Sequence, residues 1–399
     1  MSMKLANFNT VLMGDMAAKG FTALFALMTI RLMAPASFAS FVYLGALIIL
    51  SFSLVSGFFN RQFMLSDVGG ADLRVFQLTQ VAATAAVMLV CLAILRPALN
   101  VHELVASVFT PVLAAAYDFC RTVRQRQGNF LRYSVVEVGR TMLVFLLALP
   151  VFLVPGKFQV AGLIAVQGFS YFCGAYALRL DAGWRSDGAA WSRVFAGLSN
   201  KAAMSVLLYW ALVALFGQVP ILAAKFFGNP DILASLGSAM RYYGIVLSIV
   251  VAANIVTLPI VTRAKSNAEV YSAVIQSYRI LILATCLILA CAYVGYQLIP
   301  LIDGGKYPDS PLQYALLCMA IVSGIPMAPI SGGLLRLGHV NLLIVAMGIS
   351  VVIAAGFPMV ANVALKDAIP IGFALGALAQ LLFAGFQLWL RRQNREETP

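Results

Sequence analysis

The sequence predicts an all-α, polytopic membrane protein of about twelve transmembrane helices, each span needing about 20 apolar residues. Three observations predict it: a composition no water-soluble core could absorb, a succession of apolar runs of spanning length, and a lopsided distribution of Lys and Arg. Of the 399 residues, 62% are hydrophobic and 11% charged, against roughly half apolar and a quarter charged in a soluble domain. The longest polar connection, 180–200, leaves no room for a separate catalytic or regulatory domain.

Apolar runs of spanning length fall at 10–31, 38–58, 77–95, 103–120, 135–154, 160–179, 203–224, 233–259, 273–295, 312–335, 340–362 and 369–390. The first run lacks a small-residue cleavage site and reads as an uncleaved anchor. Lys and Arg give an independent check, because they accumulate on cytoplasmic connections. With the N-terminus inside, seventeen fall on cytoplasmic segments, with Arg121, Arg124, Arg126 and Arg132 clustered on one of them. The opposite connections carry six in all: Arg31, Arg96, Lys157, Lys225, Lys306 and Lys366. An even number of spans with both termini cytoplasmic follows.

The stretch 181–200, with Asp181, Arg185, Asp187 and Arg193 around Trp184 and Trp191, reads as a cytoplasmic linker. It would join an N-terminal six-helix lobe, 1–180, to a C-terminal one, 201–399; an amphipathic segment on the membrane surface fits it equally. Two weak repeats support the halves. Pro35-Ala-Ser-Phe-Ala-Ser-Phe41 matches Pro230-Asp-Ile-Leu-Ala-Ser-Leu236, and Arg126-Gln-Gly-Asn-Phe130 resembles Arg336-Leu-Gly-His-Val340. Both offsets, 195 and 210 residues, place span n over span n+6, so the two lobes would have parallel topology.

The net charge of +12 is scattered between apolar segments, which argues for topology rather than nucleic acid. Six cysteines lie in apolar stretches without CxxC spacing, and His102 and His339 have no carboxylate or cysteine at ligand spacing. Neither a disulfide framework nor a metal site is expected.

Several segments resemble the polysaccharide flippase branch of the multidrug/oligosaccharidyl-lipid/polysaccharide (MOP) exporter superfamily, the Wzx-type O-antigen and exopolysaccharide-repeat flippases. Thr29-Ile-Arg-Leu-Met-Ala-Pro-Ala-Ser-Phe38 is similar to that family's R-L-x-x-P-x-x-F/Y-G, with Ala39 where Gly is usual. Gly57-Phe-Phe-Asn-Arg61 and Gly237-Ser-Ala-Met-Arg-Tyr-Tyr243 add to it. Leu298-Ile-Pro-Leu-Ile-Asp-Gly-Gly-Lys-Tyr307 resembles its G-x-x-Y ending of the ninth span, with Asp303 replacing an aromatic.

The resemblance implies two six-helix lobes around a central cavity that opens alternately to either side of a bacterial cytoplasmic (inner) membrane. The substrate would be an undecaprenyl-pyrophosphate-linked oligosaccharide for O-antigen, capsule or exopolysaccharide synthesis. Implied partners are that polyprenyl-pyrophosphate-linked oligosaccharide, membrane lipid, and a polysaccharide polymerase with other synthesis proteins. No cofactor, metal or enzymatic nucleophile is implied.

Charges within spans are costly, so they are the natural functional candidates. Asp15 and Lys19 stand at i,i+4 on the first span, either as a self-neutralised pair or as groups facing substrate or a coupling ion. Arg241 lies well inside the eighth span on a face continued by Gly244, Ser248 and Ala252. A guanidinium can hold two phosphate oxygens at once, which makes Arg241 the first candidate for substrate binding. Its alternative is snorkelling to the interface.

Glu137 and Arg140 at i,i+3 read as an interfacial salt bridge or, functionally, as the cytoplasmic mouth of the cavity. Arg31 is a topology anchor or a phosphate ligand, and Arg279 a snorkelling residue. The Arg121–Arg132 cluster would retain the loop inside or attract anionic headgroups. In the tenth span Gly324, Pro326, Pro329, Gly332 and Gly333 cannot sustain an unbroken helix, so a kink is expected.

A drug/cation antiporter of the sister branch is the alternative, but it would want an acidic cavity, and the deep charges Asp15, Lys19 and Arg241 sum to positive. A membrane-embedded polymerase or ligase would want a large outer loop rich in acid, base or His. The longest outer loop here, Tyr296 to Ser310, has one Lys, two Asp and no His.

Overall fold

The computed structural model describes residues 2–65, 70–95, 97–127, 129–179, 191–192, 194, 198, 201–262 and 267–396. The predicted linker charges Asp181, Arg185, Asp187 and Arg193 lie outside the described residues, as does the side chain of Arg279. Among the described residues the regular structure is entirely helical: α1 Ser2–Leu32, α2 Pro35–Leu65, α3 Gly70–Leu95, α4 Val101–Arg126, α5 Phe130–Val151 and α6 Gly156–Ala177 come first. There follow α7 Lys201–Phe227, α8 Pro230–Thr262, α9 Asn267–Asp303, α10 Ser310–Gly324, α11 Met327–Arg336, α12 Val340–Val360 and α13 Leu365–Glu396. These match the twelve predicted spans, the tenth being α10 and α11 together. Ten spans are long and apolar enough to cross a membrane among the described residues; the other two are α1 and α8, helices of 31 and 33 residues. The chain is a multi-pass membrane protein.

Local chemistry sets the helix ends. Pro35 and Pro230, the prolines of the first repeat, open α2 and α8, where a missing N–H costs nothing. Asn100 caps α4 through its side chain at 2.9 Å from the Glu103 N–H, and the Glu103 carboxylate accepts from the Asn100 N–H at 3.1 Å, a capping box. The second repeat is a helix stop. The His339 N–H reaches the Leu334 carbonyl at 2.8 Å, across Gly338 at φ 78°. The Asn129 N–H reaches the Arg124 carbonyl at 3.0 Å in the matching place. The helix is interrupted where the kink was expected: α10 ends and α11 begins around Ile325 (φ −56°, ψ −50°) and Pro326 (φ −66°, ψ −17°). The backbone torsions stay helical there, so the span does not open into a loop.

The chain divides into two compact units, Met1–Ala214 and Leu215–Pro399, the division falling within α7. In the first unit α1 packs on α5, α4 on α6, and α2, α3 and α4 on one another, around Phe58, Phe59, Phe63, Phe76 and Phe119. In the second, α8, α9 and α10 pack together and α13 covers α10 and α12. Neighbour pairs 2·3, 2·4, 3·4, 4·6 and 5·6 among the first six spans recur as 8·9, 8·10, 9·10, 10·12 and 11·12 among the second six.

Membrane helices gain little from apolar burial against one another and rely on close approach at small residues. At Gly376 a Cβ would lie 2.6 Å from the Ser350 carbonyl oxygen and 3.3 Å from Ala354 Cβ. Because backbone cannot step aside, Gly376→Ala is expected to destabilise the α12–α13 seam by about 1–3 kcal/mol. Gly348 on α12 has nothing within 4 Å of such a Cβ, so Gly348→Ala is the neutral control. Thermal unfolding of the two purified variants compares them; equal melting would show that the seam is not tight.

Candidate functional site

The charges of the first unit gather where the C-terminal ends of α2, α4 and α6 meet the start of α5. Glu137 and Arg140, one turn apart on α5, form a salt bridge of 2.6 Å with side chains only 13% and 12% exposed. The expected salt bridge is therefore present, and it is largely buried. Arg140 lies 5.3 Å from the centre of the Tyr117 ring and 4.6 Å from that of Tyr171. The Tyr117 hydroxyl donates to the second carboxylate oxygen of Glu137. The seat is close-fitting, since a Cβ at Gly174 on α6 would meet the Tyr117 ring at 2.7 Å.

One turn closer to the end of α4 stands Arg121, 5.1 Å from the Tyr133 ring centre and 4.0 Å from Asp118. Asp118 accepts a hydrogen bond from the Asn60 side-chain amide of α2. On the far side of α5, α1 approaches so closely that a Cβ at Gly14 would lie 2.6 Å from Ser134 Cβ. The next residue along, Asp15, pairs with Lys19 at 2.7 Å, the two side chains 39% and 44% exposed. Three acids and three cations on α1, α4 and α5 thus form three matched pairs.

The other arginines of the predicted cluster are spent on structure. Arg124 donates to the Arg179 carbonyl at 2.6 Å, to Leu178 at 3.4 Å and to the Gln127 side chain at 3.1 Å. Arg132 donates to Ala177 at 2.6 Å, and Arg126 to Phe63 at 2.9 Å. These carbonyls belong to the last turns of α6 and α2 or the residues just beyond, which have no acceptor role left inside the helix and attract cations. Arg124, Arg126 and Arg132 are helix-end clasps.

In the second unit Arg241 sits eleven residues into α8, half-buried. Its neighbours fix the helix on two sides: Tyr242 meets the Tyr314 ring edge-on at 6.4 Å, and Tyr243 meets Phe373 at 6.3 Å. Arg31 is exposed at the last turn of α1. The family-like Asp303–Tyr307 segment is a turn after α9. Gly304 and Gly305 adopt φ 69° and 72°, which only glycine takes without strain, and the Gly305 N–H bonds the Asp303 carboxylate at 3.0 Å. Burial pushes the Lys306 amine below its usual range, with Asp303 opposing the shift.

Of the residues singled out in the sequence, Asp15 pairs with Lys19 and Glu137 with Arg140, while Arg241 lies apart from them in the second unit. Sequence spacing did not bring Asp118, Asn60 and the tyrosines Tyr117, Tyr133 and Tyr171 to these charges. An Asp three residues before an Arg near the end of an apolar span was the available signal for Asp118.

This helix arrangement has known counterparts. The lipid II flippase MurJ, in an inward closed conformation, matches with a TM-score of 0.69 at 10% identity, over 95% of this chain and 87% of that one. An outward-facing multidrug resistance MATE family transporter of the MOP superfamily matches at 0.63 with 13% identity, over 97% and 96%. An inward-facing MATE transporter matches at 0.57 with 14% identity, over 95% of each chain. No protein-family model matches the sequence, and no curated protein matches it. The chain shares the fold of MurJ and of the MATE transporters.

Proposed function

We propose that this protein is a flippase that carries an undecaprenyl-pyrophosphate-linked oligosaccharide repeat across the bacterial cytoplasmic membrane by alternating access. Its lobes, 1–180 and 201–399, would enclose a central cavity, with both termini cytoplasmic. The observation that carries this reading is charge balance. Asp15, Asp118 and Glu137 each have a cation within 4.0 Å, so the first unit offers no surplus acid among these residues to hold an organic cation. Arg241 adds positive charge inside the eighth span. A pyrophosphate head suits that sign, and a polyprenyl tail can stay in lipid while the head crosses.

In this reading Arg241 is the principal pyrophosphate ligand. Lys19, Arg31 and Arg140 are the further cations along the path, with Asp15 and Glu137 as their partners or as groups that couple an ion. The MATE-like fold favours a second reading, a drug/cation antiporter. Reconstitution into vesicles separates the two. Transbilayer movement of a fluorescent undecaprenyl-pyrophosphate oligosaccharide, with no extrusion of ethidium, is the expected result. Ethidium movement without lipid movement would reverse the assignment.

A further inference from the structure

We propose that the groove between α4 and α6 in the first unit binds one membrane phospholipid, its acyl chain lying along the groove and its headgroup at the paired starts of the two helices. The groove has a volume of about 700 Å³. Val101, Val105 and Phe109 line it from α4 at four-residue spacing, which keeps them on one face. Phe158, Ala165 and Phe169 line it from α6. All six are exposed. The two helices meet along its floor, where the Thr110 hydroxyl donates to the Ile164 carbonyl at 3.0 Å and a Cβ at Gly168 would lie 2.7 Å from the Thr110 oxygen.

Polarity, length and width select the occupant. No charged side chain lines the groove, and of its two polar ones, His102 and Thr110, the latter is already bonded to Ile164. A sugar or an organic cation would leave its polar groups without partners there, whereas an exposed apolar face on two spans of a multi-pass chain suits hydrocarbon. From Val101 to Leu113 the groove follows α4 for about 18 Å, close to one leaflet of a hydrocarbon core about 30 Å thick. Averaged over that length its cross-section is about 40 Å², too narrow for a second helix about 10 Å across and wide enough for chains whose carbons touch at about 4 Å. The mouth complements a phosphate. His102 on the first turn of α4 meets the Phe158 ring on the first turn of α6 at 5.7 Å, so the two helix starts lie side by side, and α6 begins without a side-chain cap. Paired helix starts place partial positive charge at that end.

The site depends on the membrane setting of the chain and not on the flippase reading. The test uses the full chain in phosphatidylcholine nanodiscs that contain a trace of phosphatidylcholine with a photoreactive diazirine on its acyl chain. After illumination, peptide mass spectrometry is expected to find label concentrated on 101–113 and 158–169 rather than on Ile282, Leu283 and Leu287, which are exposed on α9. Ala165→Phe, which places a ring in the groove from an exposed position, is expected to lower that labelling by about fivefold to tenfold, as follows when two or three methylene contacts are lost. Leu283→Phe should leave it unchanged. Size-exclusion profiles verify folding, and Val105→Phe fills the groove from α4 if Ala165→Phe does not fold. Label spread evenly over the exposed faces of α4, α6 and α9 would overturn the site. Loss of the label on adding undecaprenyl phosphate at the same trace level would give the groove to a polyprenyl chain, and disulfide-linked dimers formed by Phe109→Cys but not by the wild type would give it to a second copy; either result would overturn the phospholipid.

Discussion

Glu137→Leu is expected to destabilise the first unit by about 3–5 kcal/mol, the cost of leaving a buried guanidinium without its carboxylate. Arg140 cannot easily turn to water. Its side chain is 12% exposed, two tyrosine rings flank it, and its Nε already lacks a hydrogen-bond partner. The same substitution removes the acceptor of the Tyr117 hydroxyl, so two polar groups lose a partner together. The double variant Glu137→Leu/Arg140→Met should recover most of the loss, because replacing both members of a buried pair removes the desolvation cost along with the attraction. Thermal unfolding of the purified single and double variants reads this directly. A single variant that melts like the wild type would mean that the pair contributes nothing to holding α4, α5 and α6.

That pair also shows where sequence reasoning reaches and where it stops. Spacing reveals pairs along one helix, so Asp15–Lys19 and Glu137–Arg140 were visible as i,i+4 and i,i+3 partners. Their burial, and the tyrosines beside Arg140, come from α4 and α6, which sequence spacing cannot bring together. The helix ends were legible for a local reason. Pro35 and Pro230 preset the first turn of α2 and α8, and Gly338 closes α11 in a conformation that favours glycine. Part of the apparent internal repeat is thus start and stop chemistry recurring at matched positions. The clasping role of Arg124, Arg126 and Arg132 was not legible because their acceptors lie 45 to 63 residues away. Four like charges in a short stretch look like a surface patch until the carbonyls of α2 and α6 are brought against them.

On the proposed flippase reading, Arg241→Glu is expected to lower transbilayer movement of the lipid-linked oligosaccharide by on the order of a hundredfold or more, since charge-assisted bonds to phosphate are each worth about 1.5–3 kcal/mol and every 1.4 kcal/mol is about tenfold. The residue lies about 16 Å along α8 from its first turn. Tyr242 and Tyr243 pin the adjoining sides of the helix to Tyr314 and Phe373, which fixes the backbone from which Arg241 projects. Arg241→Lys keeps the charge and gives up the planar fork, and should retain about a tenth of the rate. Surface polysaccharide in cells and flipping in vesicles measure the loss, with membrane protein levels checked by immunoblot. Normal polymer in the Arg241→Glu strain would remove Arg241 from the substrate path. A loss shared equally by the lysine and glutamate variants would point to a packing role for the side chain, because lysine preserves the charge that a phosphate reads.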